Sequence, residues 1–124
     1  MSISVAEYRN LASEHSMQSA LIERLHQRAR VPLLAFAIPN AAKRSPRTAA
    51  QLKREGMLAG VADLCIMLEG GLVIWMELKT RKGRVRAGQK AFRASCDMLG
   101  HPYLMPRTLD DAICMLTNRG ILLP

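Results

Sequence analysis

Apolar residues recur at helical spacing early in the chain, directly after a serine that suits a helix start. Met17, Leu21 and Leu25 share one face of a helix that begins after Ser13 and ends near residue 28. Val31-Pro32 follows, and backbone before a proline disfavours helix. An S-x-x-E pattern at residues 4–7 further predicts a short helical turn near the N-terminus.

Three later helices are predicted from residues that favour helix ends. Ser45 and Pro46 suit the start of a helix that runs to residue 55, where Gly56 stops it. Another covers 87–99 and stops at Gly100. The last spans 109–118, where Thr108 precedes an acidic residue three positions on, a variant of the capping box.

Four apolar segments between these helices read as strands. They are "LLAFAI" at 33–38, "LCIML" at 64–68, "LVIWMELK" at 72–79 and "PYLM" at 102–105. Glu69-Gly70-Gly71 forms a tight reversal, so the second and third strands should form an antiparallel hairpin. The order α-β-α-β-β-α-β-α predicts an α/β fold, with a mixed sheet flanked by helices.

Composition limits the classes of protein to consider. A chain of 124 residues fits one domain, 1–124, with 1–12 as an N-terminal extension. No apolar run approaches the roughly 20 residues of a membrane span, and no leader pattern appears, so we expect no membrane partner and a cytoplasmic location. The three cysteines lack zinc-ligand spacing and should be free, mostly buried thiols.

Charge points to a polyanionic partner. Eighteen Lys and Arg against ten Asp and Glu give a net charge of +8, and seven basic residues lie between Lys79 and Arg93. Five more lie between Lys43 and Arg54. Aromatic residues do not alternate with these clusters, so the charges suit the phosphates of nucleic acid better than its bases.

Two carboxylates should meet at the open end of the hairpin. Asp63 lies just before one strand and Glu77 near the end of its partner, with Lys79 on the same strand face as Glu77. Converging carboxylates repel unless a cation lies between them, and hard oxygen ligands favour Mg²⁺ or Mn²⁺. This arrangement would suit metal-assisted hydrolysis of a phosphodiester bond, with Lys79 beside the attacking water. The alternative is a solvated strand end with an ion pair.

The segment from Asp63 to Glu77-Leu78-Lys79 resembles the D…(D/E)xK motif of the PD-(D/E)XK nuclease superfamily. "EGMLAGVADLCIML", "WMELKTRKGRVRAGQKAF" and "LGHPYLM" resemble the VRR-NUC pattern of GxxxGxPDL, ExKxxxGxxxxxQ and a later G-x-Y strand, and "SEHSMQSALIERL" resembles the family's first helix. Ala62 stands where the family usually has proline. The resemblance covers about residues 13–116 and implies a restriction-endonuclease-like αβββαβ core.

The resemblance also implies roles for individual residues. Asp63, Glu77 and the Leu78 carbonyl would bind the metal, Lys79 would be the catalytic lysine, and Gln89 would reach back to the site. Glu14 would complete the metal or water network. Its place at the end of the apolar stripe of the first helix supports this, since a buried carboxylate there would need a partner. The alternatives are that Glu14 merely interacts with the helix dipole and that Gln89 is a surface residue.

The function that this resemblance implies is a Mg²⁺- or Mn²⁺-dependent DNA endonuclease selective for DNA shape. The compact chain is similar to standalone phage and bacterial members, which implies a homodimer that resolves Holliday junctions, in the host cytoplasm if phage-encoded. A general, flap or nicking nuclease in phage DNA processing and a non-catalytic DNA-binding module with the same fold stay open. The expected DNA contacts are Lys43, Arg44, Arg81, Lys82, Arg84, Arg86 and Lys90.

Overall fold

The computed structural model describes residues 13–39 and 45–124 of the chain, which contain four helices, four strands and one short 3₁₀ turn. The predicted turn at residues 4–7 and the basic residues Lys43 and Arg44 lie outside the described residues. In chain order the elements are α1 (Glu14–Arg28), β1 (Leu33–Ala37), α2 (Pro46–Arg54), β2 (Leu64–Leu68), the 3₁₀ turn (Glu69–Gly71), β3 (Val73–Met76), α3 (Ala87–Leu99), β4 (Tyr103–Leu104) and α4 (Leu109–Asn118).

The predicted helix starts are confirmed in atomic detail. Ser13, Ser45 and Thr108 precede α1, α2 and α4, and each side-chain oxygen accepts a hydrogen bond from the backbone N–H three residues later. These bonds satisfy N–H groups that have no partner inside the helix. Gly100 ends α3 with a φ of 80°, a left-handed conformation that side chains disfavour.

The sheet has the order β1-β2-β3-β4, antiparallel between the first three strands and parallel between β3 and β4. The predicted hairpin is confirmed: Leu68 N–H donates to Leu72 C=O across the 3₁₀ turn. The predicted strand 72–79 is longer than β3, but its pairing with the β4 segment continues. The amides of Trp75, Glu77 and Lys79 donate in turn to the carbonyls of Pro102, Leu104 and Pro106.

The main core lies between one face of the sheet and helices α1 and α4. Its largest fully buried side chains include Leu21 and Leu25 of α1, Ile66 and Ile74 of the sheet, and Leu116 of α4. Burial of aliphatic side chains of this size contributes about 1.5–3 kcal/mol each. The apolar stripe predicted for the first helix is therefore confirmed as its core-facing side.

Helix α3 covers part of the opposite face of the sheet. Phe92 of α3 packs edge-on against Trp75 with ring centroids 5.3 Å apart, and it also contacts Tyr103. Trp75 is half-buried beneath this helix. Helix α2 contributes no buried residue, so it lies on the surface of the domain.

Two further expectations can be compared with the structure. All three cysteines are free, with Cys65 and Cys96 buried and Cys114 exposed. No helix in the described part of the chain is long and apolar enough to cross a membrane.

Candidate active site

The end of the third strand carries charged side chains inside the protein. Leu78 belongs to the main core, while Glu77 and Lys79 are only 2% and 7% exposed. Successive residues of extended chain point to opposite faces, so Leu78 anchors this segment while its two charged neighbours share the other face. The backbone bonds to Leu104 and Pro106 hold the segment in place.

Two hydrogen bonds link Asp63 to the Glu77-Leu78 segment across the open end of the hairpin. The Asp63 amide donates to Glu77 Oε2 at 3.0 Å, and the Leu78 amide donates to Asp63 Oδ2 at 2.9 Å. The register of β2 and β3 pairs Leu64 with Met76, which places Asp63 and Glu77 opposite each other at the next position. The predicted convergence of the two carboxylates is confirmed as geometry.

The surroundings make a charge on Glu77 unfavourable. Burial and, after it, the negative charge of Asp63 raise the pKa of Glu77 to about 8, although the Asp63 amide and Lys79 act in the opposite direction. Burial disfavours any isolated charge, and a second carboxylate adds repulsion. The pair is thus a place where positive charge would be strongly favoured.

Gln89 holds the other oxygen of Glu77. Its Nε2 donates to Glu77 Oε1, while its own Oε1 accepts the Arg86 amide at 2.9 Å. Gln89 is the third residue of α3, where a glutamine side chain commonly reaches back to the residue before the helix. The structure therefore brings Gln89 to the site, as predicted, and ties the start of α3 to the strand end.

Two glycines let α3 approach the loop that carries Asp63. A Cβ on Gly60, which has a φ of +87°, would lie 2.2 Å from the carbonyl carbon of Gly88. The two backbones are in contact at this point, so only glycine fits at residue 60. This contact places Gln89, the next residue of α3, within reach of Glu77.

Glu14 lines the same cleft as the two carboxylates but is exposed. The cleft has a volume of about 390 Å³, and Asp63, Glu77, Lys79 and Gln89 also line it. The expectation that Glu14 sits buried at the end of the core stripe is wrong, because the first turn of α1 projects past the core into the mouth of the cleft. Burial on α1 begins at Met17.

The carboxylates form an incomplete set of metal ligands. Within residues 13–39 and 45–124, no three His, Cys, Asp or Glu side chains lie close enough together to hold a metal ion by themselves. Asp63 and Glu77 supply two carboxylates. This fits Mg²⁺, which commonly binds one or two carboxylates and keeps several waters.

The predicted DNA contacts within the described residues are all exposed. Arg81, Lys82 and Arg84 belong to the loop after Lys79, and Arg86 and Lys90 flank the start of α3. Arg86 also lines the cleft. The structure therefore places the positive charge of Arg86 at the cleft, close in sequence to the other exposed basic residues.

Sequence reasoning gave no role to three residues that shape the site. Gly60 lies in the quoted "GMLAGVAD" segment, and a glycine three residues before a candidate ligand could have indicated close backbone contact. Gly88 and Arg107 carry no comparable local signal. Arg107 donates to the carbonyls of Thr80 and Gly83, on the loop that follows Lys79.

The fold is similar to that of two solved structures. One, described as "VRR_NUC domain protein", has a TM-score of 0.68 and 18% identity, with 88% of each chain covered. The other, described as "VRR_NUC domain", has a TM-score of 0.59 and 16% identity, covering 85% of this chain and 94% of that one. No family model and no curated protein matches. The expected αβββαβ arrangement is thereby confirmed: this chain has the fold of VRR_NUC domains.

Proposed function

We propose that this chain is a metal-dependent DNA endonuclease whose active site comprises Asp63, Glu77, Lys79 and Gln89. The observation that carries the proposal is the pairing of partly buried Asp63 with buried Glu77, with the buried Lys79 on the same strand face as Glu77. Buried charges are costly, and such groups with perturbed pKa values cluster at functional sites. The fold shared with VRR_NUC domains agrees with nuclease chemistry but does not by itself establish it.

Asp63 and Glu77 would hold Mg²⁺ or Mn²⁺, with the Leu78 carbonyl and Glu14 as further candidate ligands. The donor set consists of hard oxygens, and the pKa of Glu77 is raised first by burial and then by the charge of Asp63, both of which a bound cation would offset. When bound, the ion would supply Lewis-acid polarisation of the phosphate and a lower pKa for an attacking water.

The protein groups position and stabilise the reacting phosphate. The Lys79 ammonium lies on the Glu77 side of the strand, where it can offset negative charge that develops on a phosphate. Gln89 and the Asp63 amide hold the two oxygens of Glu77, and the Leu78 amide holds Asp63. These bonds fix the carboxylates before DNA arrives, which reduces the cost of organising the site.

The exposed basic residues after Lys79 would bind the phosphates of the DNA backbone. Arg81, Lys82, Arg84, Arg86 and Lys90 are exposed and suit phosphates, and we propose Lys43 and Arg44 as additional contacts. Phosphate contacts position a protein on DNA without reading its bases, so selectivity would come from DNA shape.

Cleavage of a plasmid and of a four-way junction, with Mg²⁺ or with chelator, tests the proposal. Wild type should cut only with the metal, and Lys79→Ala and Glu77→Gln should lose activity by about 10²–10⁴-fold. Glu69→Gln, in the exposed 3₁₀ turn, is the matched control and should cut normally.

Salt-dependent DNA binding with no cleavage under Mg²⁺ or Mn²⁺ would show a binding module instead. Preference for linear or flapped duplex over the junction would favour the alternative of a flap or nicking nuclease. Activity in Glu77→Gln equal to wild type would remove that residue from the site.

A homodimer that resolves junctions is the more detailed form of this proposal, and the outer strand of the sheet supports it. Residues 31–39 carry no charge, and β1 is at the edge of the sheet. Leu34 is 60% exposed and faces the exposed Met67 on β2, with Phe36 beside them. Natural edge strands commonly carry charges that prevent pairing. We therefore propose that β1 pairs antiparallel with β1 of a second copy about a two-fold axis.

Light scattering after size exclusion would test this interface. Wild type should elute as a dimer and Phe36→Lys as a monomer, because the lysine would be buried without a partner. Leu72→Lys, at a similarly exposed apolar residue outside β1, is the control. A wild-type monomer at every concentration would exclude the interface and favour coverage of β1 by its own chain. The single domain 1–124 and the cytoplasmic location remain part of the proposal.

A further inference from the structure

The turn after Lys79 is closed by a hydrogen bond between its own residues and is also bonded to Arg107. Gly83 N–H donates to Thr80 C=O at 3.0 Å, which closes a four-residue turn with Arg81 and Lys82 exposed at its tip. Arg107 Nη1 donates to the same Thr80 carbonyl at 2.9 Å and also to the Gly83 carbonyl. One guanidinium nitrogen therefore bridges both ends of the turn.

Arg107 is well placed for this contact because it follows the strand next to Lys79. The Lys79 amide donates to the Pro106 carbonyl at 3.2 Å, so the backbone of Arg107 begins beside that of Lys79. The Arg107 side chain is half-buried. An arginine suits such a place, because its planar group carries five donors and no acceptor and can bond two carbonyls at once.

The bridged turn also touches the side chain of Lys79. A Cβ on Gly83 would lie 3.3 Å from Lys79 Cδ and 3.3 Å from the Thr80 carbonyl oxygen. The Gly83 backbone thus packs against the methylene chain that carries the ammonium group. A shift of the turn away from Lys79 would remove this packing contact, and the Lys79 side chain could then adopt other rotamers.

We propose that Arg107 is a positioning residue that holds the Thr80–Gly83 turn against Lys79. The bridge keeps the lysine directed into the cleft and presents Arg81 and Lys82 to the DNA backbone. Without the guanidinium, the two carbonyls lose a charged donor and the turn loses its only described tie to the β4 side. The catalytic part of this inference rests on the proposed nuclease function.

Single-turnover cleavage of a junction tests the action through Lys79. Arg107→Gln should lower the cleavage rate by about tenfold, and Arg107→Lys should recover part of it, because an ammonium can still donate to a carbonyl. Arg119→Gln removes the same charge from an exposed position and should change little. Unfolding temperatures of all variants are measured first, and rates are taken where each is folded.

A double variant separates positioning from general damage. If Arg107 acts through Lys79, the Lys79→Ala variant should be slowed no further when Arg107→Gln is added, since residues that act together are not additive. A full additional tenfold loss in the double variant would overturn the proposal.

Limited digestion with trypsin tests the bridge without any cleavage of DNA. Trypsin cuts after Lys and Arg, and its rate at a site follows how often that site opens. Arg107→Gln should raise cutting after Arg81 or Lys82 by about tenfold relative to cutting after Arg47 in α2, as read by mass spectrometry. An unchanged ratio overturns the bridge even in an active enzyme. A raised ratio in a protein that never cuts DNA supports the bridge while rejecting the nuclease.

Discussion

Replacing Glu77 by glutamine tests the electrostatics on which the proposed metal site depends. Without metal, burial and the charge of Asp63 raise the pKa of Glu77 to about 8 in the folded protein. An unfolded glutamate titrates near pH ~4.3. At a pH between these two pKa values, Glu77 keeps a proton in the folded state that it has released in the unfolded state. The stabilisation that this bound proton provides is complete below the pKa of the unfolded state and is lost as the pH rises through the pKa of the folded state.

The size of this effect follows from proton linkage. One proton of difference gives a slope of at most about 1.4 kcal/mol per pH unit. The free energy of unfolding of metal-free wild type should therefore fall by about 2 kcal/mol from about pH 6 to about pH 8 through this residue. Glu77→Gln should lack that contribution. The glutamine side chain can keep only part of the hydrogen bonding that Glu77 makes with Gln89 and the Asp63 amide. This loss lowers the free energy of unfolding by the same amount at both pH values.

Urea unfolding followed by circular dichroism, with chelator, measures the two slopes. The exposed Glu69→Gln is the matched control and should keep the wild-type slope. Adding Mg²⁺ at about pH 8, in tenfold excess over its dissociation constant, should stabilise wild type by about 1.4 kcal/mol and leave Glu77→Gln nearly unchanged. Equal pH slopes in wild type and Glu77→Gln would refute the reasoning, because Glu77 would then titrate as an exposed carboxylate does.

Three further substitutions test the contacts around the site. Gly60→Ala should lower the free energy of unfolding, measured in urea, by more than about 2 kcal/mol, because the new Cβ would collide with the α3 backbone. Gly70→Ala, at a residue with positive φ but open space around it, should lower it by only about 1 kcal/mol. Equal losses would contradict the close contact. Gln89→Ala should slow cleavage by about 10–100-fold in the junction assay, since it releases one oxygen of the proposed ligand pair, and an unchanged rate would remove it from the site. Arg81→Gln should reduce the slope of log affinity against log salt by about one, measured by fluorescence anisotropy on labelled DNA, while Arg119→Gln leaves it unchanged; equal slopes for wild type and Arg81→Gln would exclude that phosphate contact.

Local patterns were enough to predict the elements and the centre of the site. Helix starts at Ser13, Ser45 and Thr108 depend on bonds within three residues, so the sequence contains the whole interaction. The meeting of Asp63 and Glu77 also follows from local information, because a short hairpin has one register and a strand has a fixed alternation. Counting residues outward from Gly70 and Gly71 therefore located both carboxylates.

Contacts between segments distant in sequence could not be predicted in this way. Gly88, in the first turn of α3, matters only because Gly60, on the loop before β2, lies against it. Arg107 matters only because the parallel pairing of β3 with β4 brings residue 107 beside the turn at 80–83. The exposure of Glu14 depends on how far α1 extends beyond the sheet, which its periodicity does not specify.

The burial of Glu77 also explains why N–H donors from several segments hold the site. Burying a carboxylate and an ammonium at a strand end lowers stability unless hydrogen bonds satisfy them. Here both oxygens of Glu77 and one of Asp63 already accept N–H donors from three separate segments. Each carboxylate oxygen has a second lone pair, so it can keep its donor and still bind a cation. The bonds that make burial tolerable are thus the same bonds that would fix ligand geometry for a metal ion.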